Sequence, residues 1–249
     1  RRFMPGEDLA SALDAAKGLA AAGGGIVFTR LGENLSRIEE ADAVAAHYHA
    51  VLDESAAAGL IPEISVKLTQ LGLDIDREVC LRHCLALAEH AERIGSSLWI
   101  DMEDSSYVDR TLEIYETVLA AHPRTGICLQ AYLRRSAADV VRLLPKAPSI
   151  RLVKGAYQEP AAVAFRARSE VDASFQSLSL LIAEKAATGR ARLIMGTHDG
   201  ALVERTERAP VTTIRHAPIR AIPALRRRLP RVPAGGVSHP VRLGWHPHP

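Results

Sequence analysis

The chain has 249 residues, with 31 Lys and Arg against 29 Asp and Glu, a formal charge of +2, 47% apolar residues and 24% charged ones. Those proportions belong to an ordinary globular protein and exclude a mostly disordered chain, a collagen-like repeat and a disulfide-dense scaffold. The charge averages two unlike parts: residues 209–249 hold seven Arg, eight of the 14 Pro and no acid, which leaves 24 basic and 29 acidic groups in residues 1–208, a net of −5. The expected organisation is therefore a main part, 1–208, and an Arg/Pro/His-rich tail, 209–249. No apolar run approaches the roughly 20 residues of a membrane helix. The start, Arg1-Arg2-Phe3, has no Met and no apolar signal stretch, and three cysteines (Cys80, Cys84, Cys128) suit a reducing compartment. The expected location is the cytoplasm.

In chain order, Gly25–Gly32 reads as a strand. A helix follows from Ser36, with Glu39 completing a capping box, and Gly59 closes it. Glu63–Leu71 is the second strand. The helix from about Asp76 to Ile94 places Leu81, Leu85, Ala88 and Ala91 at helical spacing. On it, Cys80, His83 and Cys84 lie within about one turn. That is too few ligands for a usual soft-metal site, so the cysteines are read as small residues on a buried face. Leu98–Asp104, Gly126–Leu133, Ile150–Tyr157 and Arg192–His198 are the next four strands. Between them come helices near Tyr107–Ala121, Ser136–Leu144 (capped by Ser136) and Asp172–Ala187, and a last helix begins near Asp199.

Six alternations of strand and helix imply parallel strands with helical crossovers, either an open doubly wound sheet or a (β/α)8 TIM-like barrel. Polar residues near the C-terminal ends of many strands favour the barrel, whose rim gathers such groups: Lys67, Asp101, Glu103, Gln130, Arg151, Lys154 and His198. No G-x-G-x-x-G follows the first strand, which disfavours a Rossmann site. By strand alternation Trp99, Asp101 and Glu103 share a face, as do Ser65, Lys67 and Thr69, while Arg151 and Tyr157 oppose Lys154. Buried charges cost several kcal/mol unless paired. Lys67, Asp101 and Arg151 are thus expected to meet each other or a ligand, with a structural ion-pair network as the competing reading.

On these strands the chain resembles the proline dehydrogenases, of the single-function bacterial type. The segments that carry the resemblance are SVKLTQLGL (Ser65–Leu73), IDMEDSSYVD (Ile100–Asp109), LQAYLRRS (Leu129–Ser136), RLVKGAYQEP (Arg151–Pro160) and GTHD (Gly196–Asp199), together with RRFMPGE at the start and RLGEN (Arg30–Asn34). They span about residues 1–205. The resemblance implies a distorted (β/α)8 barrel that holds FAD and oxidises L-proline to 1-pyrroline-5-carboxylate in proline catabolism, with electrons passing to a quinone. Asp101 and Arg151 would be the catalytic polar pair. Lys67 would bind the substrate carboxylate, and Tyr157 would wall the proline pocket. Met102 and Gln130 would contact the isoalloxazine, and Lys154, Gly155, Ala156, Thr197 and His198 would serve the remaining FAD surface. The residue types suit these roles: a guanidinium stabilises negative charge on a reduced flavin, and Gln can both donate and accept. A small residue at 155 admits a planar cofactor, or only relieves crowding. Quinone reduction leaves peripheral contact with the inner face of the membrane open, although no amphipathic anchor is evident.

Past Arg208 the resemblance ends. The family continues with two further strands and a final helix bearing an Arg-Arg pair that grips the substrate carboxylate. Here prolines at 218, 223, 230 and 233 oppose a long helix around Arg226-Arg227-Arg228. Acid-free Arg-, Pro- and His-rich sequence is what a G+C-rich gene read out of frame yields. The expectation is a frameshift near codon 208, a barrel disrupted after its sixth βα unit, and impaired activity. Two other readings stand beside this one. One is a Schiff-base aldolase using Lys67 or Lys154. The other is a non-catalytic fragment with a basic tail, for which nucleic-acid binding is not expected because the tail offers only Trp245 as an aromatic.

Overall fold

A computed structural model of the chain describes residues 9–32 and 35–208. The expected seventh and eighth βα units, the Arg226–Arg228 run and the tail boundary at 209 lie outside the described residues. The chain divides into two compact bodies, one from the N-terminus to Asp101 with Arg110–Thr125, the other comprising Met102–Asp109 and the chain from Gly126.

The first body contains α1 (Leu9–Ala21), β1 (Val27–Thr29), α2 (Ile38–Ala57), β2 (Glu63–Val66), α3 (Arg77–Arg93), β3 (Leu98–Ile100) and most of α4 (Val108–Ala121). Its strands pair in parallel in the order β1-β2-β3, with Thr29 opposite Ser65 and Ser65 opposite Trp99. The second body contains β4 (Gly126–Gln130), α5 (Ser136–Leu143), β5 (Ser149–Val153), α6 (Arg168–Ala186), β6 (Arg192–Gly196) and α7 (Gly200–Glu207). Its strands are also parallel, β4-β5-β6, with Cys128 opposite Arg151 and Arg151 opposite Ile194. Among the described residues the strand order reverses in neither body, so no switch point of a doubly wound sheet is present there. All six expected strands exist, each followed by a helix, and the fold is a parallel α/β array.

Burial explains the elements. In β5 the alternation leaves Ile150 and Leu152 fully buried and Arg151 and Val153 only partly so. In β4 every residue is buried, Cys128 and Gln130 as well as Ile127 and Leu129, and Phe175, Leu178 and Ile182 form the buried face of α6. In α3 the inner face is Cys80, Cys84, Leu87, Ala88 and Ala91. The two cysteines are thus buried packing residues as expected, whereas Leu81 and Leu85 are only half-buried.

Several boundaries differ from the sequence reading, each for a local reason. The expected strand to Leu71 stops at Val66, and Thr69–Leu71 form a 3-10 turn closed by Gly72 at φ 94°. The strand expected to reach Asp104 stops at Ile100, and those expected to reach Leu133 and Tyr157 stop at Gln130 and Val153. Past those points only single bonds continue the ladder, such as Ala131 N–H to the Val153 carbonyl and Tyr132 N–H to the Lys154 carbonyl, both at 2.8 Å, and the regular strand pairing ends. The cap of α2 is shifted by one residue: the Glu40 carboxylate, not Glu39, accepts from the backbone N–H groups of Ser36 (3.1 Å) and Arg37 (3.3 Å). Ser136 is not a cap; it is the first residue of α5, and its hydroxyl donates to the Gln130 carbonyl. Helix α3 begins where expected, with Asp76 accepting from Glu78 and Val79 at 2.8 and 3.1 Å.

Candidate active site

In the first body, Lys67 and Asp101 are the first residues beyond β2 and β3, directly after the Val66–Ile100 pair. The Asp101 N–H donates to the Val66 carbonyl at 2.8 Å and prolongs the ladder by one bond. Both side chains are half-buried. Below them, Trp99 is fully buried and donates Nε1–H to Glu63 at 2.7 Å. Tyr48 is nearly as buried; its hydroxyl accepts from the Arg30 N–H and donates to the Ser65 carbonyl, both at 2.9 Å. Burial, with the Asp101 carboxylate adding to it, pushes the Tyr48 phenol up to about 12, so it remains a donor at any working pH. Gln70 donates to the Arg30 and Gly32 carbonyls and ties down the chain leaving β1.

In the second body, strand register puts Gln130 and Arg151 on one face, together with Cys128, Val153 and Ile194. Gln130 is buried. Its Nε2 donates to the carbonyls of Glu103 (3.1 Å) and Met102 (3.4 Å), which fixes the amide orientation, while its Oε1 is buried without a partner. Met102 is buried as well.

Lys154 extends from the end of β5 to Asp172 of α6 (2.5 Å) and to Asp199, the N-cap of α7 (3.3 Å). That contact, first, and the α7 backbone hold the Asp199 carboxyl below the usual range. Lys154, Arg168, Thr197, His198, Asp199 and Gly200 line one open cleft. Three of the expected cofactor residues thus share it. Gly155 has φ 129°, and a Cβ there would fall 2.3 Å from Cδ1 of Tyr132. The glycine therefore makes room for a tyrosine of this chain. Ala156 is exposed and Tyr157 half-buried.

Sequence reasoning did not single out Tyr132, Glu159, Arg168 or Asp172. Glu159 is buried and accepts from the N–H (2.7 Å) and hydroxyl (2.6 Å) of Ser105. The available signal for it was the acid in QEP, two residues past Tyr157. Among the described residues no cluster of His, Cys, Asp and Glu is arranged to hold a metal ion.

Parallel βα units with polar side chains at their strand ends put the chain in the parallel α/β class, and comparison with known proteins narrows it. The proline dehydrogenase family model matches residues 12–205. The chain belongs to the proline dehydrogenase family. It is 38% identical to proline dehydrogenase 1 of Bacillus subtilis subsp. natto over 178 residues, 72% of this chain and 59% of that protein. It is 33% identical to proline dehydrogenase of Deinococcus radiodurans over 182 residues, 71% and 59% of the respective chains. It is 30% identical to proline dehydrogenase 2 of B. subtilis over 206 residues, 83% and 67%. The chain thus spans about three fifths of the first two relatives, at 59% of each. In fold it is similar to proline utilization A from Bdellovibrio bacteriovorus, in a crystal structure of the enzyme inactivated by N-propargylglycine. There the TM-score is 0.71 at 21% identity, over 81% of this chain and 26% of the other.

Proposed function

We propose that the chain acts in proline catabolism as an FAD-dependent dehydrogenase, oxidising L-proline to 1-pyrroline-5-carboxylate and passing electrons to a quinone. The carrying observation, beside family membership, is the Gln130 amide. Its donor end is committed to two carbonyls and its acceptor end is buried and unpartnered. A buried acceptor left open asks for an N–H from a bound molecule, and a flavin edge supplies one. The cleft offers a second place for the group: Arg168 at the start of α6 and His198 just before α7 line it, beside Lys154, whose ammonium already bridges Asp172 and Asp199.

In this reading Lys67 binds the proline carboxylate through its ammonium, and Tyr157 walls the pocket. Asp101 and Arg151 form the catalytic polar pair, Arg151 stabilising negative charge as it develops. Met102 and Gln130 hold the ring system. Lys154, Gly155, Ala156, Thr197 and His198 hold the remainder. When bound, FAD supplies the two-electron acceptor that protein side chains lack. The Schiff-base alternative is disfavoured at Lys154, whose ammonium is engaged by two aspartates.

The same reading makes residues 1–208 six units of a (β/α)8-type barrel and 209–249 a tail of frameshifted origin, at a cost in activity. Translating the underlying DNA in the other two frames tests this: recovery of the missing strands and an Arg-Arg helix supports it, and their absence from both frames overturns it. The expected location is cytoplasmic, with peripheral membrane contact for quinone reduction. No helix among the described residues is long and apolar enough to cross a membrane.

The main test is the absorption spectrum of the purified chain with added FAD. Bands near about 370 and 450 nm that bleach with L-proline support the proposal. Failure to take up FAD, or uptake without bleaching, overturns it.

A further inference from the structure

We propose that Glu159 is a positioning residue that locks the segment after β5 to the segment after β3, giving Tyr157 and Met102 a common frame. Both oxygens of this buried carboxylate are used on one residue, Ser105, taking its N–H and its hydroxyl at 2.7 and 2.6 Å. An ionised carboxylate in two charge-assisted bonds is a strong and directional tether. A glutamate placed only for solubility would not be buried.

The anchored segment matters because of what it carries. Met102, Glu103 and Ser105 are consecutive or nearly so, and Gln130 holds the first two through their carbonyls. Glu159 fastens the same stretch three residues further on. Asp104 stiffens the turn between, accepting from the N–H of Ser106 at 2.8 Å and from its hydroxyl at 2.5 Å. At the other end, Glu159 closes the run Gly155–Glu159 that contains Tyr157. That run starts at the glycine packed against Tyr132. Burial first, and then the nearby Glu159 carboxylate, raise the pKa of the Tyr132 phenol. The run is therefore pinned at 155 by ring packing and at 159 by the carboxylate, with Tyr157 midway.

The roles of Tyr157 and Met102 rest on the proposed function; the tether itself does not. Glu159→Gln keeps the size and an acceptor for the Ser105 N–H, but its NH2 is satisfied only if the Ser105 hydroxyl turns from donor to acceptor, and both bonds lose their charge assistance. Ser105→Ala keeps the backbone bond and removes only the hydroxyl. The experiment compares both variants and their combination with the intact chain by amide hydrogen exchange over residues 102–106 and 155–159, and by proline oxidation with FAD. Faster exchange at both segments in Glu159→Gln is expected, with a smaller effect in Ser105→Ala and no further effect in the double variant. The kinetic expectation is a rise of about tenfold in KM for proline, with a smaller change in kcat. Unchanged exchange overturns the tether, whatever the activity. Faster exchange with unchanged KM overturns the positioning role while leaving the proposed function intact. If the intact chain neither takes up FAD nor oxidises proline, the proposed function fails, and the exchange comparison alone decides the tether.

Discussion

The Nδ1 atoms of His49 on α2 and His90 on α3 face each other at 2.7 Å, and the His90 Nε2 lies 3.0 Å from Asp53. At that distance one Nδ1 carries the shared proton and the other accepts it. The arrangement cannot accommodate a second proton between the rings. Burial first, then His90, holds His49 below its ordinary value of 6.5. Arg93 and His83 act in the same direction, and Asp53 opposes them. The folded state therefore binds a proton at His49 less readily than the unfolded chain does. The associated stability is fully present above pH 6.5 and is lost as pH falls through the lowered value. The thermal midpoint should drop on acidification over this window, and His49→Asn should flatten the drop. An equally steep drop in the variant would remove the histidine pair as its source.

Tyr48→Phe should destabilise the first body. The change removes the acceptor for the Arg30 N–H and the donor to the Ser65 carbonyl. Both partners are main-chain groups that would be left without Tyr48, so the loss should be about 1–3 kcal/mol. Urea unfolding measures it, with an unchanged m-value expected.

Gly155→Ala should be among the least tolerated small substitutions. Its Cβ would meet three ring carbons of Tyr132 at 2.3, 2.4 and 2.5 Å, on backbone with φ 129°. Overpacking alone costs about 1–3 kcal/mol, and the backbone conformation adds to it. Adding Tyr132→Ala should restore part of the thermal midpoint, because it relieves the clash and not the backbone strain. A full recovery would show that the ring was the whole constraint.

Arg135→Ala should unmask a buried carboxylate. Arg135 forms a fork on Asp139, at 2.9 and 3.2 Å, and reaches Asp109 at 2.5 Å. The Asp139 side chain is only 7% exposed, whereas Arg135 is 36% exposed. The expected loss is about 2–3 kcal/mol, below that for a fully buried pair. Arg135→Ala combined with Asp139→Asn should recover much of it in chemical denaturation.

The alternation of strand and helix was legible in the sequence because each strand carries its own apolar core, such as Ile150 and Leu152, and each helix its own spacing. Strand ends were not. Lys67, Asp101 and Lys154 sit in extended-looking sequence, yet the paired strands stop before them. Hydrophobic alternation cannot report where the regular pairing of two strands ends. Helix α1, rich in Ala, was missed because its apolar face is defined by few large residues, Leu13 among them. Within the candidate site, residue types pointed to Gln130 and Gly155. The direction in which the Gln130 amide is set depends on two main-chain carbonyls, and the partner of Gly155 is a ring 23 positions earlier. Neither follows from local pattern. Glu159 was not singled out, because its partner, Ser105, is distant in the chain.

Within each body, every strand after the first lies beside the strand synthesised just before it. No strand there waits for a later one to complete its pairing on the upstream side. A nascent chain can therefore lay down β1, β2 and β3 in succession as each emerges, and later β4, β5 and β6 in the same manner, closing one helical crossover at each addition. Assembly in the order of synthesis keeps each freshly exposed strand edge short-lived, because the next strand off the ribosome covers it.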